Sequence, residues 1–281
     1  MVRTFICRFS RIVIILFSLI FCSCVESEMP QRRLVVEGWI ESGAAPVVML
    51  TLPYRPGEDY SVEDAVARPA KVILQEGGRQ WQLIGMYDPE YFPPYIYTSH
   101  EVRGEAGRSY RLAVYYDGLE AYAETEILDP PSILGLTLSD DPSDSQYRKL
   151  TLQTSALSGS YDCLMTFLRT EASGKRPAPS YLGVARIPPG KDAVSLEVLR
   201  PKFKPDTVPY YSAFRVGETV EVHLCRLTPS AYDFWMDFQN AMSLGHSPLI
   251  SSSYTLRSNI TGDGIGYFFG YGADRKVIKI E

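Results

Sequence analysis

The chain is short of the groups that most chemistry needs. Among its 281 residues it has three histidines, His100, His223 and His246, with no ligand spacing between them. It contains no HExxH, no CxxC and no paired Cys/His run, which argues against a dedicated zinc site, because zinc needs ligands brought together at short spacings. A GxSxG elbow and a Walker loop (GxxxxGK followed by Ser or Thr) are also missing, so the familiar nucleophile and phosphate signatures fall away. Basic charge is short as well: 28 Lys and Arg stand against 33 Asp and Glu, net -5, a balance that repels a nucleic-acid backbone. Long apolar runs are absent too. Ile12–Phe21 gives ten residues, reaching roughly 15 Å, about half of a hydrocarbon core. That excludes an anchor helix there.

What this short run does fit is an export signal. Arg3, Arg8 and Arg11 precede it without any acid, the pattern of a secretory signal peptide. It ends Phe21-Cys22-Ser23-Cys24, where the small Ser23 sits directly before Cys24. This resembles the lipobox of bacterial lipoproteins, with Phe21 where that motif usually has Leu. The expectation is a signal peptide over 1–23, lipidation at Cys24 and a tether over 24–32. Cleavage would leave 258 residues with 25 basic against 33 acidic side chains, net -8. Lipid on Cys24 would make the membrane a partner, since each buried CH₂ contributes about 0.8 kcal/mol. Glu26 and Glu28 resemble the surface-export signal of Bacteroidota lipoproteins; the plainer alternative is a solvated tether.

From Arg33 onward the dominant pattern is short β-branched and aromatic runs broken by Gly, Pro and Asp. Strands are expected at Leu34–Ile40, Val47–Leu52, Lys71–Gln75, Gln80–Met86, Ser109–Tyr116 and Leu119–Ile127. Glu76-Gly77-Gly78-Arg79 reads as a four-residue hairpin loop, and Asp117-Gly118 as a two-residue turn with positive φ. So many short strands in about 100 residues imply an immunoglobulin-like or prealbumin-like β-sandwich over 33–128. Pro130 and Pro131 cannot donate to a ladder and mark a boundary. A second β-rich domain over 133–281 follows, with strands at Leu134–Leu138, Lys149–Thr154, Tyr161–Arg169, Ala193–Leu199 and Thr219–Leu227. Pro-rich stretches at 176–180 and 200–209 read as loops.

One segment changes period. Thr228 and Pro229 form a helix start, and Tyr232, Trp235, Phe238 and Met242 recur at helical spacing, predicting an amphipathic helix near 229–244. Its aromatic face either packs on a sheet or docks a partner through Trp235. Cys163 and Cys225 sit in apolar strand-like runs, where a disulfide and two free buried thiols are both open readings. Gly262-Asp-Gly264-Ile-Gly266 lacks the lysine of a phosphate loop and reads as a turn into a strand at Ile265–Tyr271. Asp140, Asp141 and Asp144 lack EF-hand spacing and read as a solvated loop. The segment 87–97 holds five aromatics, Tyr87, Tyr91, Phe92, Tyr95 and Tyr97, with three prolines. Stiff aromatic loops make contact surfaces at low entropic cost, so these are the candidate ligand or partner contacts.

Three stretches together resemble a known family. LVVEGWI at Leu34–Ile40, LTPSAYDFW at Leu227–Trp235 and SNITGDGIGYFFG at Ser258–Gly270 are similar to the Bacteroidota outer-membrane lipoproteins catalogued as domain of unknown function 4249. The resemblance covers the mature chain and departs in the short loops of the first domain. It implies a lipid-anchored outer-membrane protein, often encoded beside TonB-dependent receptors, and carries over no catalytic residue. The expected function is therefore non-enzymatic, with no cofactor: an accessory or binding partner of a TonB-dependent transporter in nutrient uptake. A second expectation is direct glycan or peptide binding through the aromatic loop 87–97. A third, a hydrolase, would need carboxylates converging in a deep cleft.

Overall fold

In the computed structural model, residues 32–53, 61–155, 160–169, 178–186, 193–200, 212–244 and 256–281 are described. The signal segment 1–23, Cys24, Glu26, Glu28, His246 and the Pro-rich stretch 201–209 lie outside them. Strands form where branched and aromatic residues alternate. The first half runs β1 (Leu34–Glu41), β2 (Val47–Thr51), β3 (Lys71–Glu76), β4 (Arg79–Tyr87), β5 (Tyr95–Thr98), β6 (Ser109–Tyr116) and β7 (Leu119–Glu126), with one helical turn, α1 (Val62–Ala65), capped by Ser61. In β6 the face carrying Tyr110, Leu112 and Val114 is buried, as the alternation requires. Asp117 (φ 45°) and Gly118 (φ 78°) make the two-residue turn expected between β6 and β7. The β3–β4 loop is tighter than expected. Glu76 and Arg79 pair as strand residues and as an ion pair, so only Gly77 and Gly78, both at positive φ, form the turn.

The second half contains β8 (Ser132–Asp140), β9 (Tyr147–Ser155), β10 (Tyr161–Arg169), β11 (Ala178–Arg186), β12 (Ala193–Val198), β13 (Phe214–Arg215) and β14 (Thr219–Leu227). Then come α2 (Pro229–Leu244), β15 (Thr261–Gly262) and β16 (Gly264–Lys279). The chain is mostly β: a twelve-stranded curled sheet in the order β11-β10-β14-β16-β1-β2-β5-β4-β3-β6-β7-β15, and a smaller sheet of β12, β9, β13 and β8.

β16 joins the two halves. The expected strand 265–271 is only its first part, which pairs in parallel with β1 from Leu34–Gly264 to Glu41–Tyr271. Its second part pairs antiparallel with β14, from Gly272–Arg226 to Lys279–Thr219. One core is enclosed by the first seven strands and includes Ile260 and Phe268, which lie far beyond the prolines in sequence. Asn259 ties the curl together: its Nδ2 donates to the carbonyls of Glu124 (3.3 Å) and Phe268 (2.8 Å), and its Oδ1 accepts from Phe268 N (3.0 Å). A second core lies between β14 and the smaller sheet, around Leu152, Phe214 and Val222.

A third cluster lies beneath α2. Thr228 Oγ1 caps the helix by accepting from Ala231 N (3.3 Å). The inward face is turned from the expected stripe: Ala231 and Phe234 are the buried residues, and Phe238 is exposed. The reason is packing, because the Phe234 ring enters between Tyr267 (4.8 Å) and Phe269 (5.5 Å) of β16.

Candidate functional site

The five aromatics of segment 87–97 do not form one surface. Tyr95–Thr98 is a strand rather than loop, so the connection shrinks to 88–94, turned by Glu90 N donating to Asp88 Oδ1 (3.0 Å) and Tyr91 N to Asp88 O (3.2 Å). Tyr97 points into the first core, donating to Ala67 O (2.7 Å) and accepting from Ala70 N (2.9 Å); burial pushes its phenol up to about 12. Tyr95 packs edge-on against Tyr97, with the Arg68 guanidinium over its ring. Tyr87 and Phe92 are exposed, beside the exposed Ile84 and Met86. Tyr91 alone folds back over the sheet onto the Trp39 ring, 6.1 Å between centroids. Burial, then the nearby Asp88 and Glu90 carboxylates, push its phenol up to about 12. Trp235, half-buried, packs against Phe234 and Tyr267 and donates its indole N–H to Tyr271 Oη (3.0 Å).

Trp39 and Tyr91 wall an open cleft of about 340 Å³ at the end of β1. Its floor is charged and buried. Alternation along β14 sends Glu221, His223 and Cys225 to one face and Val220, Val222 and Leu224 to the other. Register then sets Phe167 of β10 opposite Glu221 and Arg275 of β16 opposite His223, while Glu41 arrives from β1. His223 Nε2 and Glu221 Oε1 are 2.7 Å apart; a carboxylate only accepts, so Nε2 carries the proton. On its other side, Nδ1 stands 3.4 Å from Glu41 Oε2, and Glu41 also pairs with Arg275. The Phe167 ring lies 4.3 Å from the imidazole.

The shifts follow from this packing. Burial alone would raise the Glu41 carboxyl, but His223 and Arg275 together hold it below the ordinary carboxylate value. Burial alone would lower His223, but the hydrogen bond to Glu221 and the Glu41 carboxylate beside Nδ1 raise it above the ordinary imidazole value. The carboxylates and the imidazole are thus engaged chiefly with one another. Such a floor presents fixed donors and acceptors side by side.

Cys163 and Cys225 stand directly opposite across β10 and β14, and both are free, buried thiols. Burial raises both, leaving little thiolate. Among the described residues, no group of three or more His, Cys, Asp or Glu is placed to hold a metal ion. Asp141 and Asp144 accept from Ser143 and Gln146 within their own loop, and Asp140 pairs with Arg148. A wider hollow of about 630 Å³ over Tyr115 and Tyr122 has no buried polar group among its lining residues.

Sequence reading missed Trp39, Glu41, Glu221, His223 and Arg275. A faint signal existed in the strand TVEVHLCRL, whose polar residues share a face with a cysteine. On an ordinary strand that face meets water.

The family model described as "Domain of unknown function (DUF4249)" matches residues 23–277. No curated protein matches the chain. Among solved structures, the human OSCAR ligand-binding domain is 15% identical, covering 72% of this chain and 92% of that chain. Its TM-score of 0.19 is too low to bear on the fold.

Proposed function

This chain belongs to the DUF4249 family, and we propose that it is a non-enzymatic binding lipoprotein of the cell envelope. In this reading, lipid on Cys24 holds the β body at the outer membrane, the Trp39–Tyr91 cleft takes a ligand, and a TonB-dependent transporter receives it. One observation carries the binding reading: an open cleft walled by two aromatic rings over a floor of buried, mutually paired charge. Ligand sites commonly combine such walls with a few convergent polar groups. The address rests on Arg3, Arg8 and Arg11, the run Ile12–Phe21 and the Ser23-Cys24 step.

Cys24→Ala is expected to abolish palmitate labelling and move the protein from the membrane to the soluble fraction. Each lost CH₂ contact costs about 0.8 kcal/mol, so no residual anchoring should survive. Unchanged labelling and fractionation would sink the lipoprotein reading. Cross-linking and purification of the wild-type chain from native membranes should recover a β-barrel receptor. Repeated recovery of none would count against the transporter partnership.

A further inference from the structure

The floor of the cleft selects the chemistry of what can enter it. His223 is nine-tenths buried and lines the cleft, and its Nδ1 makes no hydrogen bond among the described residues. Glu41 Oε2, at 3.4 Å, is within ion-pair range but out of line for a hydrogen bond. Arg275, one-third exposed, sits on the same Glu41 oxygen. A buried ring nitrogen, a guanidinium and a carboxylate therefore meet at one place.

Charged ligands fit this place badly. A carboxylate or phosphate drawn to Arg275 would also meet Glu41, and an ammonium drawn to Glu41 would meet Arg275, at separations where like charges repel by several kcal/mol at low effective dielectric. A hydroxyl donates and accepts at once. It can donate to Glu41 while accepting from Arg275, and it satisfies Nδ1 whether or not that atom holds a proton. It also brings no unmatched charge into a buried site. Above this floor, the half-buried faces of Trp39 and Tyr91 offer apolar surface to the C–H face of a ring that carries such hydroxyls.

We infer that the cleft binds a neutral saccharide, its hydroxyls meeting His223, Glu41 and Arg275 and its ring lying against Trp39 and Tyr91. This rests on the binding reading of the same cleft and names the ligand class. The lipidated full chain in detergent is titrated against immobilised neutral oligosaccharides (glucan, mannan, galactan and xylan fragments), against uronate and amino-sugar oligomers, and against oligolysine. Neutral members bind, and Trp39→Ala and Tyr91→Ala each weaken that binding by about tenfold or more. His223→Gln weakens it similarly, whereas Ile84→Ser, on the exposed face of β4 and outside the cleft lining, leaves it unchanged. Circular dichroism confirms that each variant is folded, and Tyr91→Ala, on a loop, tests the site even where His223→Gln does not fold.

Binding confined to charged probes overturns the saccharide assignment and leaves the cleft as a binding site. Neutral binding unaffected by both aromatic variants overturns this location. No binding to any probe overturns the cleft's role altogether. Recovery of a receptor by cross-linking in that last case would still support the transporter partnership, so the two failures are distinguishable.

Discussion

Gly266→Ala is expected to lower unfolding stability by about 3 kcal/mol or more. Gly266 lies where β16 begins its parallel pairing with β1, opposite Val36, at φ 116°. That backbone conformation is open to glycine and strained for any L side chain. A Cβ there would also drive into the Val36 carbonyl oxygen, which is strand backbone and cannot swing aside. Two costs therefore add, and they fall on the pairing that joins the ends of the chain. Gly118→Ala is the control: its φ is also positive, but a Cβ would meet nothing within 4 Å, so about 1 kcal/mol is expected. Thermal or urea unfolding of both variants measures the difference. Equal losses would show that the Val36 contact does not matter.

The second large effect is expected at His223. His223→Leu leaves Glu41 and Glu221 buried without the imidazole between them, and breaking a buried pair from one side costs about 3–5 kcal/mol. It also changes the pH dependence. The His223 value is raised in the folded state, so its contribution is fully present below the ordinary 6.5 and is lost as pH rises through the higher folded value. Glu41 is lowered, so its contribution is present above the ordinary 4.5 and lost as pH falls through the lower folded value. The cluster therefore contributes most between about 4.5 and 6.5. Urea unfolding at pH 5.5 and pH 8.5 should show the wild type losing stability at the higher pH and His223→Leu losing less. Parallel slopes for the two proteins would mean that the imidazole is not held as described.

Local signals in the sequence predict the structure closely where the physics is local. Ser109–Tyr116, Tyr161–Arg169 and Thr219–Leu227 are strands over the expected residues, and the helix runs over 229–244 as its Thr228 cap and proline imply. Strands beside turns begin and end within a residue or two of the expected positions, because alternation and turn chemistry act over a few positions. The aromatic segment 87–97 was harder. Five rings read as one surface, yet Tyr95 and Tyr97 belong to a strand in which Tyr97 is buried and Tyr95 half-buried. Periodicity over four residues, interrupted by prolines, does not separate strand from loop.

The sequence by itself determined the β character, the tight turn at Asp117-Gly118 and the helix with its cap. Only the tertiary structure decided that β16 lies between β1 and β14, because its pairing with β1 joins residues more than 200 positions apart and no local propensity encodes it. From that pairing follows the cleft. Glu41, Glu221, His223 and Arg275 come from three strands, and each alone would pass for a solvent-facing residue. Glu41, Glu221 and His223 are buried together where the curled sheet brings β1, β14 and β16 side by side, and Arg275 closes the rim, so that four ordinary polar side chains become the floor of a site.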